Sequence, residues 1–215
     1  GLNRKNIKKL NGISLLERTI NDAKGSKFIN KIIVSTEDQE IRAIAQNLDV
    51  DVMLRPNYLS KDNTTSDEVL QNIAEELKLN NDLPDIFVYL QLTEPFRPKK
   101  IIDNCIESLL NNPSLDSVFA GFVSHKNYWI KMNDQFVRIS PAQESSIPRQ
   151  NKKPVFREDT GLALAVKPEV FLSGRRIGDY PKIIPYDSFH STIDIHTEID
   201  LNFAELIEPF LLETE

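Results

Sequence analysis

The chain has 215 residues, 40% hydrophobic and 27% charged, with a net charge of −6 and one cysteine. That length bounds it to one domain with room for a substantial excursion. The acidic balance excludes a nucleic-acid binder that works through a broad basic surface, and no apolar run approaches the roughly 18 residues of a membrane span. Gly1-Leu2-Asn3-Arg4-Lys5-Asn6 carries charge with no apolar signal region behind it, and Cys105 has no possible disulfide partner. A cytoplasmic protein is expected.

Residues 13–24 read as a helix and Lys31–Ser35 as a buried strand. A helix over about 38–47 and a short strand at Val50–Leu54 follow, and Ser66 or Asp67 can cap a helix that runs to about Leu79. Ile86–Leu92 is a strongly apolar strand, and Pro98 can start a helix that reaches about Asn111. Within it Ile102, Cys105, Ile106 and Leu109 share a face, which makes Cys105 a buried, inert thiol. Ser117–Phe122 is the next strand. Near-continuous apolar strands between amphipathic helices predict an α/β fold, a mostly parallel sheet with helices on both faces.

The alternation breaks over 124–157, which holds Trp129, two strand-like pieces (129–132 and 136–139) and a polar run from Ser140 to Lys153. We read 1–123 and 158–215 as one α/β domain and 124–157 as an excursion that packs on a second subunit. Trp129 is then a dimer-core aromatic. The sheet resumes at 162–166, with a helical turn at 168–172 and a strand over about 182–186. His190 and Phe189 fall in a connecting loop.

The segment Ser191-Thr192-Ile193-Asp194-Ile195-His196-Thr197-Glu198-Ile199-Asp200 alternates as a strand does and then opens a helix over about 198–209. On a strand Asp194 and His196 share one face, and Ile193 and Ile195 the other. Thr197 with Asp200 forms an imperfect capping box. A carboxylate and an imidazole at the end of a strand sit where open α/β sheets place ligands, or they tidy a strand-to-helix corner. Positive charge clusters at Arg4, Lys5, Lys8 and Lys9 and again at Arg149, Lys152, Lys153 and Arg157. Such clusters suit a small anionic ligand, or are solvated faces.

Several dispersed motifs, in this order and spacing, resemble the CMP-sugar synthetases, the acylneuraminate cytidylyltransferases. They are Arg4-Lys5-Asn6 with Asn11-Gly12, Val34-Ser35-Thr36 with Asp38, and Leu54-Arg55-Pro56 with Leu59, Asp62 and Ser66. Gln91-Leu92-Thr93-Glu94-Pro95-Phe96-Arg97 follows, then Arg149-Gln150, Phe156-Arg157, Gly161 and Ile193–Glu198. The resemblance implies a nucleotide-diphospho-sugar transferase-like, Rossmann-like fold, a homodimer, Mg²⁺, and transfer of CMP from CTP to a nonulosonic acid with release of pyrophosphate. It departs from the family in three ways. The family's opening strand and basic, glycine-containing phosphate loop would lie before Gly1, and a sheet without them carries a gap at its middle, which favours a longer native chain. Glu94 stands where the family has Ser. His196 stands where the sialic-acid enzymes have a second Asp, and Thr160 replaces the Asn before Gly161.

The resemblance also assigns roles. Asp194 would hold Mg²⁺, which prefers oxygen ligands. His196, an imidazole better suited to softer metals, would meet the ion through water, act as base towards the sugar hydroxyl, or be a structural histidine. Arg4, Lys5 and Asn6 would edge the nucleotide site, with Lys5 catalytic. Ser35, Arg55 and Ser66 would contact base or ribose, although Arg55-Pro56 also fits a surface turn. Gln91 would touch the sugar, or be a strand-end amide bonded to the backbone. Arg149, Gln150 and Arg157 would line the sugar pocket, and the two guanidinium groups would answer the substrate carboxylate. Arg97 reads as a structural partner of Glu94 three residues back, or as a phosphate or sugar contact, and Gly161 as a point of close backbone approach. An octulosonate-specific relative and a catalytically silent dimeric binding module are the rival readings. A dinucleotide-binding oxidoreductase is disfavoured because no G-x-G-x-x-G occurs.

Overall fold

Several helix starts in this protein follow side chains that take over the first free amides. The computed structural model describes residue 2 and residues 4–61, 63–139 and 146–212; Asp62 and the beginning of the polar run at Ser140 lie outside the described residues. A small hairpin of β1 (Lys9–Leu10) and β2 (Ile13–Ser14) leads into α1 (Leu15–Lys24), whose N-cap Ser14 accepts from the Glu17 amide. After β3 (Ile33–Thr36), Asp38 accepts from the amides of Glu40 and Ile41 and opens α2 (Gln39–Asn47). After β4 (Asp51–Leu54) comes α3 (Ser66–Leu79). Its cap is Thr65, not Ser66 or Asp67, because Glu68 three residues on completes a capping box with Thr65.

Next in the chain are β5 (Phe87–Tyr89), α4 (Ile101–Leu110) and β6 (Ser117–Ser124). The hairpin of β7 (Trp129–Met132) and β8 (Gln135–Arg138) turns at Asn133 and Asp134, both at positive φ as a two-residue turn requires. The last elements are β9 (Val155–Glu158), β10 (Leu164–Val166), α5 (Pro168–Leu172), β11 (Pro181–Tyr186) and α6 (Glu198–Leu212).

The class is α/β, and the main sheet is mixed. Its order is β11-β6-β10-β5, with β9 also paired to β6. β11 runs parallel to β6, whereas β10 is antiparallel to both β6 and β5. β3 and β4 form a separate parallel pair.

Period-two alternation divides the core. Val118, Ala120 and Ala165 face Ile102, Cys105, Ile106 and Leu109 of α4. Phe119, Leu164 and Val166 pack instead against Leu70 and Ala74 of α3 and Val170 and Phe171 of α5. Helices therefore cover both faces of the sheet, and each buried Leu or Phe side chain contributes about 1.5–3 kcal/mol. Cys105 is buried as expected, and burial pushes its thiol up to about 12.

A third cluster sets the geometry of the site. Leu2, Leu10 and Leu15 pack with Leu201 and Ala204 of α6 around Ile195. Arg18 pairs with Glu208 and ties α1 to α6. The strand expected over 191–196 does not form: Phe189–Thr192 is a turn of 3-10 helix and 193–197 is irregular. Ile195 N–H donates to Thr93 O at 2.8 Å and Leu2 N–H to His196 O at 2.9 Å. The alternation thus reflects a chain held from both sides by single bonds, with Ile195 fully buried. Among the described residues no helix is long and apolar enough to cross a membrane.

Candidate active site

Tyr89 and Gln91 alternate at the carboxyl end of β5, where α/β sheets open towards their ligands. Tyr89 OH donates to Gln91 Oε1 at 3.2 Å, and Gln91 Nε2 donates to Thr93 Oγ1 at 2.9 Å. The Ser66 side chain meets the same Tyr89 hydroxyl, and burial raises the phenol above its ordinary range. The Gln91 amide is therefore oriented by side chains, while its backbone N–H donates to Gly161 O at 2.7 Å. A Cβ on Gly161 would run into Glu94 Oε2 and come within 2.7 Å of Gln91 Cβ. The glycine is required by close approach, as its place in the sequence suggested.

Arg97 corrects one expectation. Its partner is not Glu94: Nη1 donates to Asp22 Oδ2 at 2.9 Å, Nε to Leu162 O at 3.0 Å, and Nη2 to Gln91 O. With 3% of the side chain exposed, this guanidinium is a clamp that joins the chain after β5 to the start of β10. Burial raises the carboxyl of Asp22, against the pull of Arg97.

Asp194 and His196 are brought together as expected, with His196 Nε2 and Asp194 Oδ2 2.7 Å apart. The capping box is complete although its acid is Asp: Asp200 Oδ2 accepts from Thr197 N–H at 2.7 Å and His196 N–H at 3.0 Å, and Asp200 N–H donates to Thr197 Oγ1. Because Thr93 O holds Ile195 N–H, Glu94 lies beside Asp194. Burial, followed by the charges of Asp194 and Asp159, pushes Glu94 up from 4.5 to about 7, with Arg97 and Arg157 opposing. Glu94 Oε2 and Asp194 Oδ1 are both buried without a hydrogen-bond partner. Glu94 Oε2, which lies against Gly161, and Asp194 Oδ1 are unclaimed carboxylate oxygens, the hard donors that a divalent cation such as Mg²⁺ takes together with several waters. Among the described residues no group of three or more His, Cys, Asp or Glu converges on a metal position, so these two oxygens fit an ion whose shell water and substrate complete. Asp194 and Glu94 would supply the oxygens, and the His196 nitrogen already bonded to Asp194 would not.

Arg157 belongs to the same neighbourhood. Its Nε donates to Asp159 Oδ1 at 2.6 Å, and Tyr186 OH donates to Asp159 Oδ2 at 2.6 Å. Burial and the Asp159 carboxylate drive the Tyr186 phenol far above its usual range, which keeps it a donor. Sequence reasoning missed Tyr89, Asp159 and Tyr186. The available signal was spacing by two: Tyr89 precedes Gln91, and Asp159 follows Arg157, so each pair falls on one side of an extended chain.

The other anticipated residues are more scattered. Arg55 folds back on Ser35, with Nη2 donating to Ser35 O at 2.6 Å. Lys5 and Asn6 sit on a turn of 3-10 helix, while Arg4 pairs with Glu40 at the start of α2. Arg149 and Gln150 are exposed on a short 3-10 turn before β9. No hydrogen bond among the described residues ties them to the Asp194 group.

A profile of the family described as Cytidylyltransferase matches residues 1–200. The chain is a cytidylyltransferase family member. It is 36% identical over 97 residues to an N-acylneuraminate cytidylyltransferase of Escherichia coli, covering 45% of this chain and 22% of the relative. It is 30% identical over 112 residues to a pseudaminic acid cytidylyltransferase of Campylobacter jejuni, covering 52% and 48%. The chain thus spans about half or less of the length of these relatives. Among solved structures it superimposes with a TM-score of 0.72 on a CMP:2-keto-3-deoxy-manno-octonic acid synthetase complexed with CTP. That match has 12% identity and covers 98% of this chain and 93% of the other. A 4-diphosphocytidyl-2C-methyl-D-erythritol synthase from Anaerococcus prevotii gives a TM-score of 0.63 at 15% identity, covering 95% and 88%. These two likenesses establish the cytidylyltransferase chain's fold.

Proposed function

We propose that this protein transfers CMP from CTP to the anomeric hydroxyl of a nonulosonic acid of the sialic or pseudaminic type. In that reaction the anomeric oxygen forms a bond to the α-phosphorus, the bond to the β-phosphate oxygen breaks, and pyrophosphate leaves. The observation that carries the reading is the pair of partnerless carboxylate oxygens on Glu94 and Asp194, with the anchored cation Arg157 within electrostatic reach of Glu94. One side of such a site suits a metal-bound triphosphate and the other an acidic acceptor. The family match and the names of the two relatives support the same reaction.

Phosphoryl and nucleotidyl transfer depend chiefly on positioning and charge stabilisation. Mg²⁺, when bound through Asp194 and Glu94, would neutralise charge on the phosphate oxygens. His196 takes the proton of the sugar hydroxyl and is kept in line by Asp194. Gln91, locked by Tyr89 and Thr93, orients the sugar, and Arg157 and Arg149 bind its carboxylate, with Gln150 and Gly161 beside them. Lys5, with Arg4 and Asn6 at the edge of the site, faces the phosphates. Arg55, Ser35 and Ser66 approach the nucleoside. The exposed apolar residues of the β7–β8 hairpin, among them Trp129, Met132 and Phe136, form the homodimer contact.

The test is pyrophosphate release from CTP and Mg²⁺ with sialic, legionaminic, pseudaminic and ketodeoxyoctulosonic acids as acceptors. Release with a nonulosonic acid, reduced at least 100-fold in Asp194→Ala, is expected. Release with the octulosonic acid alone would move the substrate class, and no release with any acid would favour a silent binding module.

A further inference from the structure

Arg157 is built into a row of side chains that crosses three strands. On β6, Phe122 stands opposite Arg157 of β9 on one side and Tyr186 of β11 on the other, so all three share one face of the sheet. The Arg157 guanidinium lies 5.8 Å from the centre of the Phe122 ring, and the Phe122 and Tyr186 rings are 5.6 Å apart. Asp159 closes the row from above. Its Oδ1 accepts from Arg157 Nε at 2.6 Å, while Oδ2 accepts from Tyr186 OH at 2.6 Å and from the Phe122 amide at 3.2 Å. Asp159 is 5% exposed, whereas the Arg157 side chain is 49% exposed.

This is a buried anchor carrying an accessible cation. A free arginine surrenders much rotamer freedom when it binds, and a guanidinium fixed beforehand avoids that loss. Asp159 takes the Nε edge and the Tyr186 hydroxyl also meets the guanidinium, so the group is held from its inner side while its half-exposed outer side can present N–H donors to a planar carboxylate. The three donors on Asp159 come from three strands, so their convergence depends on the register of the sheet. An incidental surface ion pair would not require it.

We propose that Asp159, steadied by Tyr186, is a positioning residue that holds Arg157 ready for the carboxylate of the acceptor acid. The role rests on the cytidylyl-transfer reading of the site. It sets affinity for the acid through Arg157. Neither Asp159 nor Tyr186 touches the reacting atoms.

The test measures KM for N-acetylneuraminic acid and pseudaminic acid, KM for CTP and kcat, in wild type, Asp159→Asn, Tyr186→Phe and Arg157→Ala. Asp159→Asn is expected to raise the acid KM about tenfold and Tyr186→Phe about threefold, with the CTP KM unchanged in Tyr186→Phe, which keeps the Asp159 charge near Glu94 in place. Tyr186→Phe keeps the ring on Phe122 and serves where Asp159→Asn loosens the fold. In the Arg157→Ala background both substitutions should lose their effect on the acid KM, since a residue that acts through Arg157 has nothing left to position. In parallel, the Arg157 Nε–H resonance, assigned by its loss in Arg157→Lys, should be discrete in wild type and vanish in Asp159→Asn. An unchanged acid KM in both variants of an active enzyme, or an unchanged Nε–H resonance, overturns the positioning role alone. Wild type that turns over neither acid while the resonance behaves as expected overturns the role together with the functional reading beneath it.

Discussion

Replacing Glu94 by Gln tests the electrostatics of the site without changing its shape. The folded protein holds this carboxyl at about 7, against 4.5 for the free group, because burial and then the charges of Asp194 and Asp159 disfavour its ionised form. At ~1.4 kcal/mol per pH unit, ionising Glu94 in the folded, metal-free protein costs about 3 kcal/mol. The sign follows from which state keeps the proton. Below about pH 4.5 both folded and unfolded chains are protonated at this position, and it contributes no pH dependence. Between 4.5 and about 7 the unfolded chain releases its proton first, so stability falls as the pH rises. Above about 7 the loss is complete. Glu94→Gln removes this titration, so its advantage over wild type should grow by about 3 kcal/mol between pH 4.5 and pH 8.5. Urea denaturation at several pH values, in EDTA, reads this difference. Excess Mg²⁺ at pH 8.5 should then restore part of the loss in wild type and little in the variant. Parallel stability curves for the two proteins across the pH range would refute the reasoning.

Three further outcomes follow from the same geometry. Arg97→Ala leaves Asp22 and the carbonyls of Gln91 and Leu162 without their donor, and should lower stability by about 3–5 kcal/mol in urea denaturation. Cys105, with its thiol held near 12, should resist a disulfide reagent at pH 8 in native protein and react at once in denaturant. Trp129→Ser combined with Phe136→Ser removes two large exposed apolar groups of the hairpin. It should convert the proposed homodimer to a monomer in sedimentation velocity with helical content unchanged; a variant dimer that persists would place the contact elsewhere, and a monomeric wild type would overturn the proposed dimer.

Elements with strong local signals were legible in the sequence. The helical turn at Pro168–Leu172 and the buried face around Cys105 follow from local side-chain chemistry. The sense of each strand pair was harder to read, because antiparallel β10 is as apolar as a parallel strand would be when both its faces are buried. The Asp194 segment alternates like a strand because Ile193 and Ile195 are held inward, yet Thr93 and Leu2 each meet it through a single backbone bond. The site was readable where one short motif carries it, as with Asp194 and His196. It was not readable where distant segments converge. The orphaned oxygen of Glu94 depends on Gly161 and Asp194, and the anchor on Arg157 depends on a tyrosine from another strand.

The most direct test of the account is ³¹P NMR of the full-length protein with CTP, Mg²⁺ and a nonulosonic acid acceptor. The account predicts that the three CTP resonances give way to one phosphodiester signal and one pyrophosphate signal in equal molar amounts, and that this conversion stops in Asp194→Ala. CTP left intact with every acid, or cleaved to a nucleotide and inorganic phosphate without a phosphodiester product, would contradict it.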